Sequence, residues 1–236
     1  MDSKTSCLAI LVILLVLAHL ARGADNELTP QEKADGWLLL FDGRSMDGWR
    51  IGEDPIPAAN VKDGAFNPRN MAGGRKLYVC DYTARKFADF VLALDFKITP
   101  KCNSGVFFRV TDPADPVQSG FEIQIYDSGG KAKVGKHDSG ALYDAREPSA
   151  NAARPAGEWQ HVEITAKGAK IEVVLNGRKV MDANLDDWKE AGKNPDGTAN
   201  KFKSALKDMP RSGYVGLQDH LSDLWFKNVK IKPLKP

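Results

Sequence analysis

Cysteine and histidine are scarce in this sequence, which has only three cysteines and four histidines in 236 residues. Cys7, Cys80 and Cys102 have no histidine near them at the spacing of zinc ligands, so the sequence has no zinc signature. In an exported protein Cys80 and Cys102 could form a disulfide. Two buried free thiols are the alternative, and the sequence leaves both open.

An excess of charge of one sign is also missing. The chain has 33 Lys and Arg against 31 Asp and Glu, a net charge of +2. This near-neutral balance argues against a nucleic-acid partner. The short basic stretch KPLK at residues 232–235 is typical of a solvated terminus.

Long hydrophobic runs are limited to the N-terminus. There, Lys4 precedes an apolar stretch at residues 8–18, and the small residues Ala21 and Gly23 follow on either side of Arg22, a layout typical of a secretory signal. The apolar stretch is too short for a good membrane span. We expect residues 1–23 to be removed and the mature protein to be exported, to the periplasm or the extracellular space, without a stable membrane span.

Helical periodicity is confined to residues 184–210, which we interpret as a surface insertion with one or two short turns. No internal repeat, long linker or low-complexity block divides the chain. The sequence therefore predicts a single domain over residues 24–236.

Period-2 alternation dominates the remainder and indicates strands with one buried face. Residues 89–98 place five apolar side chains on one side, and Asn176-Gly177 joins residues 170–175 to 178–183 as a type I′ hairpin. The apolar spacing slips near Asn228, which implies a β-bulge. Further strands are expected at residues 37–41, 65–66, 76–79, 105–110, 121–126, 159–165, 213–218 and 224–231. About a dozen short strands predict an all-β jelly-roll sandwich of two antiparallel sheets.

Three of these strands carry large polar groups on the face opposite the expected core. Alternation places Gly105 and Gly216 on the same face, where they leave room for a ligand to approach the sheet. A solvated sheet face also carries polar residues without any activity. Amides, an arginine and a histidine are nevertheless unusual on such a face and suit hydrogen bonds to sugar hydroxyls. The set is Asn103, Arg109, Glu122, Gln124, Gln218 and His220.

Asp127 raises the question of a classical glycosidase. The spacing of Glu122, Gln124 and Asp127 is similar to the E-x-D-x-x-E signature of laminarinase-like β-glucanases, with an amide in place of the middle acid. A two-carboxylate mechanism needs both acids at one site. Without a bulge Asp127 would point away from Glu122, and the stretch that follows it also fits a turn.

Seven segments in order resemble the 3-keto-disaccharide hydrolase family of secreted bacterial proteins. They are LLFDGRSMDGW (39–49), NSGVFFR (103–109), GFEIQIYD (120–127), SGALYD (139–144), GEWQHVEI (157–164), LNGRKV (175–180) and GYVGLQDHLSDLWFKNVKI (213–231). The resemblance implies a concanavalin A-like jelly roll that cleaves glycosides oxidised to a ketone at carbon 3. It also implies that Tyr143 joins the polar set.

A ketone at carbon 3 acidifies the proton on carbon 2, so that the bond at carbon 1 can break by elimination, followed by hydration. This route needs a base, an enolate stabiliser and an acid. The implied roles are His220 or Glu122 as base, Arg109 at the oxyanion, and Asp127 or Tyr143 at the leaving group. Asn103, Gln124, Tyr143 and Gln218 would bind the substrate. The sequence requires no cofactor; if a divalent metal binds, Glu122, Gln124, Asp127 and His220 are its expected ligands.

Two other functions stay open at this point. A carbohydrate-binding, lectin-like module would use the same fold, but Trp49, Trp159 and Trp188 are scattered and predict no aromatic row. A hydrolase of unmodified glucan would need Asp127 beside Glu122. Cys102 and the loop at residues 72–75 could each narrow the cleft.

Overall fold

Two antiparallel sheets packed face to face make up the computed structural model, which describes residues 24–51, 54–56, 60–69 and 79–235. The predicted all-β sandwich is therefore confirmed. The predicted leader at 1–23, the loop at 72–75 and all but the last residue of the strand expected at 76–79 lie outside the described residues.

The larger sheet has eight strands and the smaller has six. The strands are β1 (Leu38–Leu39), β2 (Trp49–Ile51), β3 (Asp54–Pro55), β4 (Val61–Lys62), β5 (Ala65–Phe66), β6 (Val79–Phe87), β7 (Phe90–Ile98), β8 (Asn103–Val110), β9 (Phe121–Tyr126), β10 (Trp159–Lys167), β11 (Lys170–Leu175), β12 (Arg178–Asn184), β13 (Gly213–Gln218) and β14 (Leu224–Pro233). The larger sheet runs β12-β11-β10-β7-β14-β5-β4, with β1 beside β14, and the smaller runs β3-β2-β6-β13-β8-β9.

Strand β7 shows why the chain closes into a sandwich. Its five predicted inward residues are all at most 1% exposed, and β10 and β14 pair with it on either side. On the other sheet, Val106, Ile123, Val215 and Leu217 face the same core. Burial of apolar side chains from both sheets is the main stabilising contribution to such a fold.

Two local predictions about the larger sheet are confirmed. Asn176 and Gly177 have φ of 50° and 81°, as a type I′ turn between β11 and β12 requires. At Asn228, φ is 54° and the register between β14 and β7 shifts between Lys227 and Lys230, so the bulge is present. The side chain of Asn228 accepts a hydrogen bond from the backbone of Asn26, 2.6 Å away, and ties the start of the described chain to β14.

Most of β6 was not predicted. Alternation is broken there by Arg85 and Lys86, and the register between β6 and β13 shifts between Gly213 and Val215. Tyr82 nevertheless packs against the core, and Asp81 lies on the opposite face of the sheet. The strand therefore becomes recognisable only through its pairing with β13.

Helical structure is short throughout the described residues. A helix at Pro30–Ala34 is capped by Thr29 and a second lies at Pro116–Ser119. The connection from β12 to β13, which contains the predicted surface insertion, has 3-10 turns at Leu185–Asp187 and Leu206–Asp208 and buries Trp188. In the described part of the chain, no helix has the length and apolarity needed to cross a membrane.

Candidate active site

A cavity of about 140 Å³ lies on the outer face of the smaller sheet. It forms there because core-facing residues of β8, β9 and β13 alternate with residues that point outward. All but two of the predicted site residues line it, together with two residues that the sequence reasoning did not select. The lining residues are Asn103, Val117, Glu122, Gln124, Tyr143, Lys201, Gln218 and His220.

Glu122 is the buried acid of this cavity, with 5% of its surface exposed. Burial raises the pKa of its carboxyl to about 8, and the charge of the nearby Lys201 ammonium opposes this rise. The carboxyl lies over Gly105, where a Cβ atom would come within 1.9 Å of Glu122 Oε1. The prediction that Gly105 leaves room for a ligand is therefore wrong, because the carboxyl of Glu122 fills the space above this glycine.

Two amide side chains of the cavity have carbonyl oxygens with no hydrogen-bond partner in the described structure. Gln124 Nε2 donates to Asn103 Oδ1 at 2.7 Å, which fixes both side chains. The Oε1 atoms of Gln124 and Gln218 are buried and accept no hydrogen bond within the described structure. Buried acceptors without partners are costly. A ligand rich in hydroxyl groups would satisfy both.

Tyr143 reaches the cavity from an extra edge segment beside β9. Gly140 N donates to Gln124 O at 2.9 Å and Tyr143 N donates to Glu122 O at 3.0 Å, so residues 140–143 run along that strand. The Tyr143 hydroxyl accepts a hydrogen bond from Lys201 Nζ at 2.9 Å. The SGALYD segment thus places a phenol beside the buried acid.

His220 follows β13 and is exposed where it lines the cavity. Gln218, two residues earlier, is buried on the same side. The structure therefore brings His220 to the cavity together with Asn103, Glu122, Gln124, Tyr143 and Gln218, as predicted.

Arg109 does not belong to this group, and its predicted place on the polar face is wrong. Strand β8 has a bulge there, because Tyr214 pairs with Val110 while Gly216 pairs with Phe107, and Arg109 adopts φ of 54°. The alternation shifts by one residue at such a bulge.

The guanidinium of Arg109 instead joins the connection between β6 and β7, which links the two sheets, to the β10–β11 turn of the larger sheet. It donates to Ala88 O at 2.9 Å and to Gly168 O at 2.8 Å, and it pairs with Asp89 at 3.1 Å. The side chain is fully buried, and burial lowers its pKa to about 10. These contacts assign Arg109 a role in holding the sandwich together.

Replacement of Arg109 by Met is therefore expected to reduce stability and leave catalysis intact. The change removes all three contacts and leaves Asp89 without its charged partner, at a cost of about 2–4 kcal/mol. Urea unfolding measures the loss, and turnover assayed at 10 °C is expected to stay within about twofold of the wild type. A stable variant without activity would contradict this assignment.

Asp127 also lies outside the cavity. Strand β9 pairs regularly with β8 from Phe121 to Tyr126, so no bulge turns Asp127 toward Glu122. Its Oδ2 accepts a hydrogen bond from Lys101 N at 2.8 Å and closes the turn between β7 and β8. The prediction of Asp127 as a catalytic acid is wrong for this geometry, and the unmodified-glucan alternative loses its second carboxylate.

The four expected metal ligands do not converge, because Asp127 is separate from Glu122, Gln124 and His220. Among the described residues, no group of three or more His, Cys, Asp and Glu side chains is arranged to hold a metal ion. Cys102 is a buried free thiol whose pKa burial raises to about 12, and it does not line the cavity.

Asp81 was missed by the sequence reasoning, although it lies on the cavity-bearing face of the same sheet. It pairs with Gly216 of β13 and is 1% exposed. Neither carboxylate oxygen has a hydrogen-bond partner in the described structure, and burial raises the pKa to about 7. Its strand showed no alternation, so no sequence signal marked this aspartate as buried.

The stability of the Asp81→Asn variant is expected to depend less on pH than the stability of the wild type. Between pH 4 and 7 the folded protein keeps a proton on Asp81 that the unfolded chain loses, so wild-type stability falls as pH rises. This contribution is roughly 2–4 kcal/mol. Thermal unfolding at pH 5 and pH 8 measures it, with the exposed Asp187→Asn as control. If wild type and Asp81→Asn showed the same difference in stability between pH 5 and pH 8, this assignment of a raised pKa to Asp81 would be contradicted.

The described tryptophans do not form a platform at the cavity. The indole nitrogens of Trp49 and Trp188 donate to Leu40 O at 2.6 Å and to Asn194 Oδ1 at 2.8 Å, inside the protein. Trp159 and Trp225 flank Lys97 on the larger sheet, with the Lys97 ammonium 5.1 Å from each ring. The cavity therefore holds polar groups rather than an aromatic stacking surface.

Comparison with known proteins identifies relatives of this chain and of its fold. Residues 36–232 match the model of the 3-keto-alpha-glucoside-1,2-lyase-like domain family. The 3-keto-disaccharide hydrolase of Bacteroides thetaiotaomicron is 29% identical over an alignment of 231 positions that covers 85% of this chain and 79% of that protein.

Crystal structures of two candidate glycosyl hydrolases from Parabacteroides distasonis are also similar. One has a TM-score of 0.75 at 29% identity, covering 90% of this chain and all of its own. The other has a TM-score of 0.65 at 29% identity, covering 79% of this chain and 99% of its own.

Proposed function

The chain belongs to the 3-keto-alpha-glucoside-1,2-lyase-like domain family, and from this premise we propose that it is an exported enzyme cleaving glycosidic bonds of 3-keto-glycosides, including 3-keto-disaccharides. The similarity to a 3-keto-disaccharide hydrolase supports this substrate class. The proposed reaction is removal of the carbon 2 proton, elimination at carbon 1 and hydration of the product.

One observation carries the proposal. Glu122 is the single carboxyl group among the described residues that line the cavity, and its pKa is raised to about 8 by burial. A glycosidase acting by direct displacement needs two carboxyl groups at defined separations. Proton abstraction needs one base with a pKa near the working pH. The described residues of the cavity supply one such base, Glu122, and they do not supply the second carboxyl group that direct displacement needs.

Glu122 takes the role of base in this mechanism. Its carboxylate removes the carbon 2 proton, and the electron pair of that C–H bond forms an enolate with the carbon 3 oxygen. Amide groups of Asn103 and Gln218, together with His220, are the groups available to bind the enolate and the neighbouring hydroxyls. Arg109 has no part in this step, because its guanidinium is engaged between the two sheets.

Elimination then re-forms the ketone, creates a double bond between carbons 1 and 2, and breaks the bond to the leaving oxygen. Tyr143 gives its hydroxyl proton to that oxygen. Water adds to carbon 1 and returns a proton to the Tyr143 phenolate, while the Glu122 carboxyl exchanges its proton with solvent and then protonates carbon 2. The sum is hydrolysis, and both side chains regain their starting protonation states.

The test compares a 3-keto-disaccharide with its unoxidised parent, using purified mature protein. We expect monosaccharide release from the keto sugar only, with solvent deuterium incorporated at carbon 2 when the reaction runs in D₂O. Binding of the keto sugar without release would replace the enzyme by a carbohydrate-binding module. Release from the parent sugar would replace elimination by direct displacement.

A further inference from the structure

Lys201 contacts the site although no sequence motif marks it. Its ammonium donates to the Tyr143 hydroxyl at 2.9 Å and lies 4.0 Å from the centroid of the same ring. The ring of His137 also contacts Tyr143, with 4.9 Å between centroids. The phenol therefore has a fixed orientation and a positive charge directly at its oxygen.

The backbone of Lys201 is held from two directions. Lys201 N donates to Asp144 Oδ2 at 2.7 Å, and Gln118 Nε2 donates to Lys201 O at 3.1 Å. Gln118 follows Val117 of the cavity wall, and its Oε1 accepts from Lys203 N at 2.9 Å. The connection between β12 and β13 is thus fastened to the cavity wall on both sides of Lys201.

The partners of Lys201 also belong to one local network. Asp144 is the next residue after Tyr143, and its Oδ1 lies 3.0 Å from His137 Nε2. The same carboxylate therefore fixes the residue that donates to the phenol and the ring that packs on it. This degree of support is typical of groups that must keep a set position during a reaction.

We propose that Lys201 is a positioning residue of the active site that enables Tyr143 to protonate the leaving oxygen. This inference rests on the proposed elimination. As the C1–O bond breaks, the Tyr143 proton moves to the departing oxygen and negative charge develops on the phenol. The ammonium already at that oxygen stabilises the charge, and hydration later restores the proton. A donor placed where charge develops is worth more in the transition state than in the ground state.

Leaving groups of different basicity test this role. With a 3-keto-disaccharide, whose sugar alkoxide requires protonation, Lys201→Met is expected to lower kcat by about 30-fold. With a 4-nitrophenyl 3-keto-glucoside, whose leaving group departs as a stable anion, the loss is expected to be under about threefold. Lys201→Arg retains the charge and is expected to recover most of the activity on the disaccharide.

The pH profile supplies a second readout that a structural role would not move. Lys201 lowers the pKa of Glu122 through its charge. In Lys201→Met, the acidic limb of kcat/KM is therefore expected at higher pH. Lys189→Met, an exposed lysine of the same connection, serves as control and is expected to behave as the wild type.

Equal losses on both substrates, or no loss on the disaccharide, would overturn the role of Lys201. Either result is distinguishable from failure of the proposed function, in which the wild type itself releases nothing from both keto substrates. Thermal unfolding of Lys201→Met identifies a variant that has lost its fold. In that case Lys201→Gln, which removes the charge but keeps a polar side chain, is compared with the wild type on the two leaving groups, since a loss specific to the disaccharide supports the role and equal losses contradict it.

Discussion

Replacement of Glu122 by Gln is expected to lower kcat/KM for a 3-keto-disaccharide by about 10³- to 10⁴-fold, the upper range for loss of a general base. The amide has the size of the carboxyl but cannot accept the carbon 2 proton. Asn103, Gln124 and Gln218 remain to bind the sugar, so the loss should fall on kcat more than on KM. Initial rates of monosaccharide release measure it.

Solvent exchange isolates the step that is lost. In D₂O the wild type is expected to introduce deuterium at carbon 2, while the Glu122→Gln variant is not. Asp127→Asn is the matched control, because its carboxyl closes a turn outside the cavity and its loss should leave turnover and exchange nearly unchanged. If Glu122→Gln retained exchange and His220→Ala lost it, the base would be His220.

The pH dependence of activity is expected to be set by the carboxyl of Glu122. Glu122 must be ionised to accept a proton, and burial raises its pKa to about 8. Activity of the free enzyme is therefore expected to rise about tenfold per pH unit up to that value and then to level off. A profile already flat at pH 6 would contradict the assignment of Glu122 as base.

With rising pH, the contribution of Glu122 to protein stability changes in the opposite direction to activity. This difference tests whether the inactivity of Glu122→Gln could result from unfolding. The folded protein retains the Glu122 proton between pH 4.5 and 8, whereas the unfolded chain has lost it, so the stability contribution of this group falls across that window. A neutral glutamine does not carry this penalty. The variant should therefore be at least as stable as the wild type at pH 8, and its inactivity would not reflect unfolding.

Much of the fold and half of the site follow from alternation alone. Strand β9 pairs regularly with β8, and residues 215–218 of β13 pair regularly with β6, so the alternation predicts Glu122, Gln124 and Gln218 on one face. Asn176-Gly177 and the slip at Asn228 were recognisable because each imposes a local backbone conformation. Tyr143 was predicted from the family resemblance and not from alternation, because its segment pairs with the edge of β9 and does not form a full strand.

The remaining residues depend on tertiary structure that local patterns do not encode. Arg109 follows a bulge in β8, and two adjacent phenylalanines conceal the change of face. Lys201 lies about 80 residues from the helix that helps to hold it. Asp81 is in a strand whose charged residues resemble a loop, and its burial results from pairing with β13. Such contacts are long-range in sequence, so a single sequence carries no signal for them.

Replacement of Gly105 by Ala is expected to lower kcat by about 100-fold, because misplacing a reacting group by about 1 Å has an effect of this size. A Cβ atom at this position would lie 1.9 Å from Glu122 Oε1 and 2.7 Å from Cδ, so the carboxyl must move. Gly105 does not have a positive φ, and alanine is therefore compatible with its backbone. Gly135→Ala is the matched control, since the nearest atom there is 3.9 Å away.

The double variant determines whether Gly105 acts through Glu122. If the glycine serves only to admit the carboxyl, Gly105→Ala in the Glu122→Gln background should add little to the loss, because the base is already absent. If the fold-loss of the double variant equalled the product of the two single fold-losses, the added methyl group would instead be blocking the substrate itself. A Gly105→Ala enzyme of wild-type activity would contradict the placement of Glu122 over this glycine. In the expected case, Gly105 contributes to the reaction although it has no side chain, because it sets where the carboxyl of Glu122 can lie.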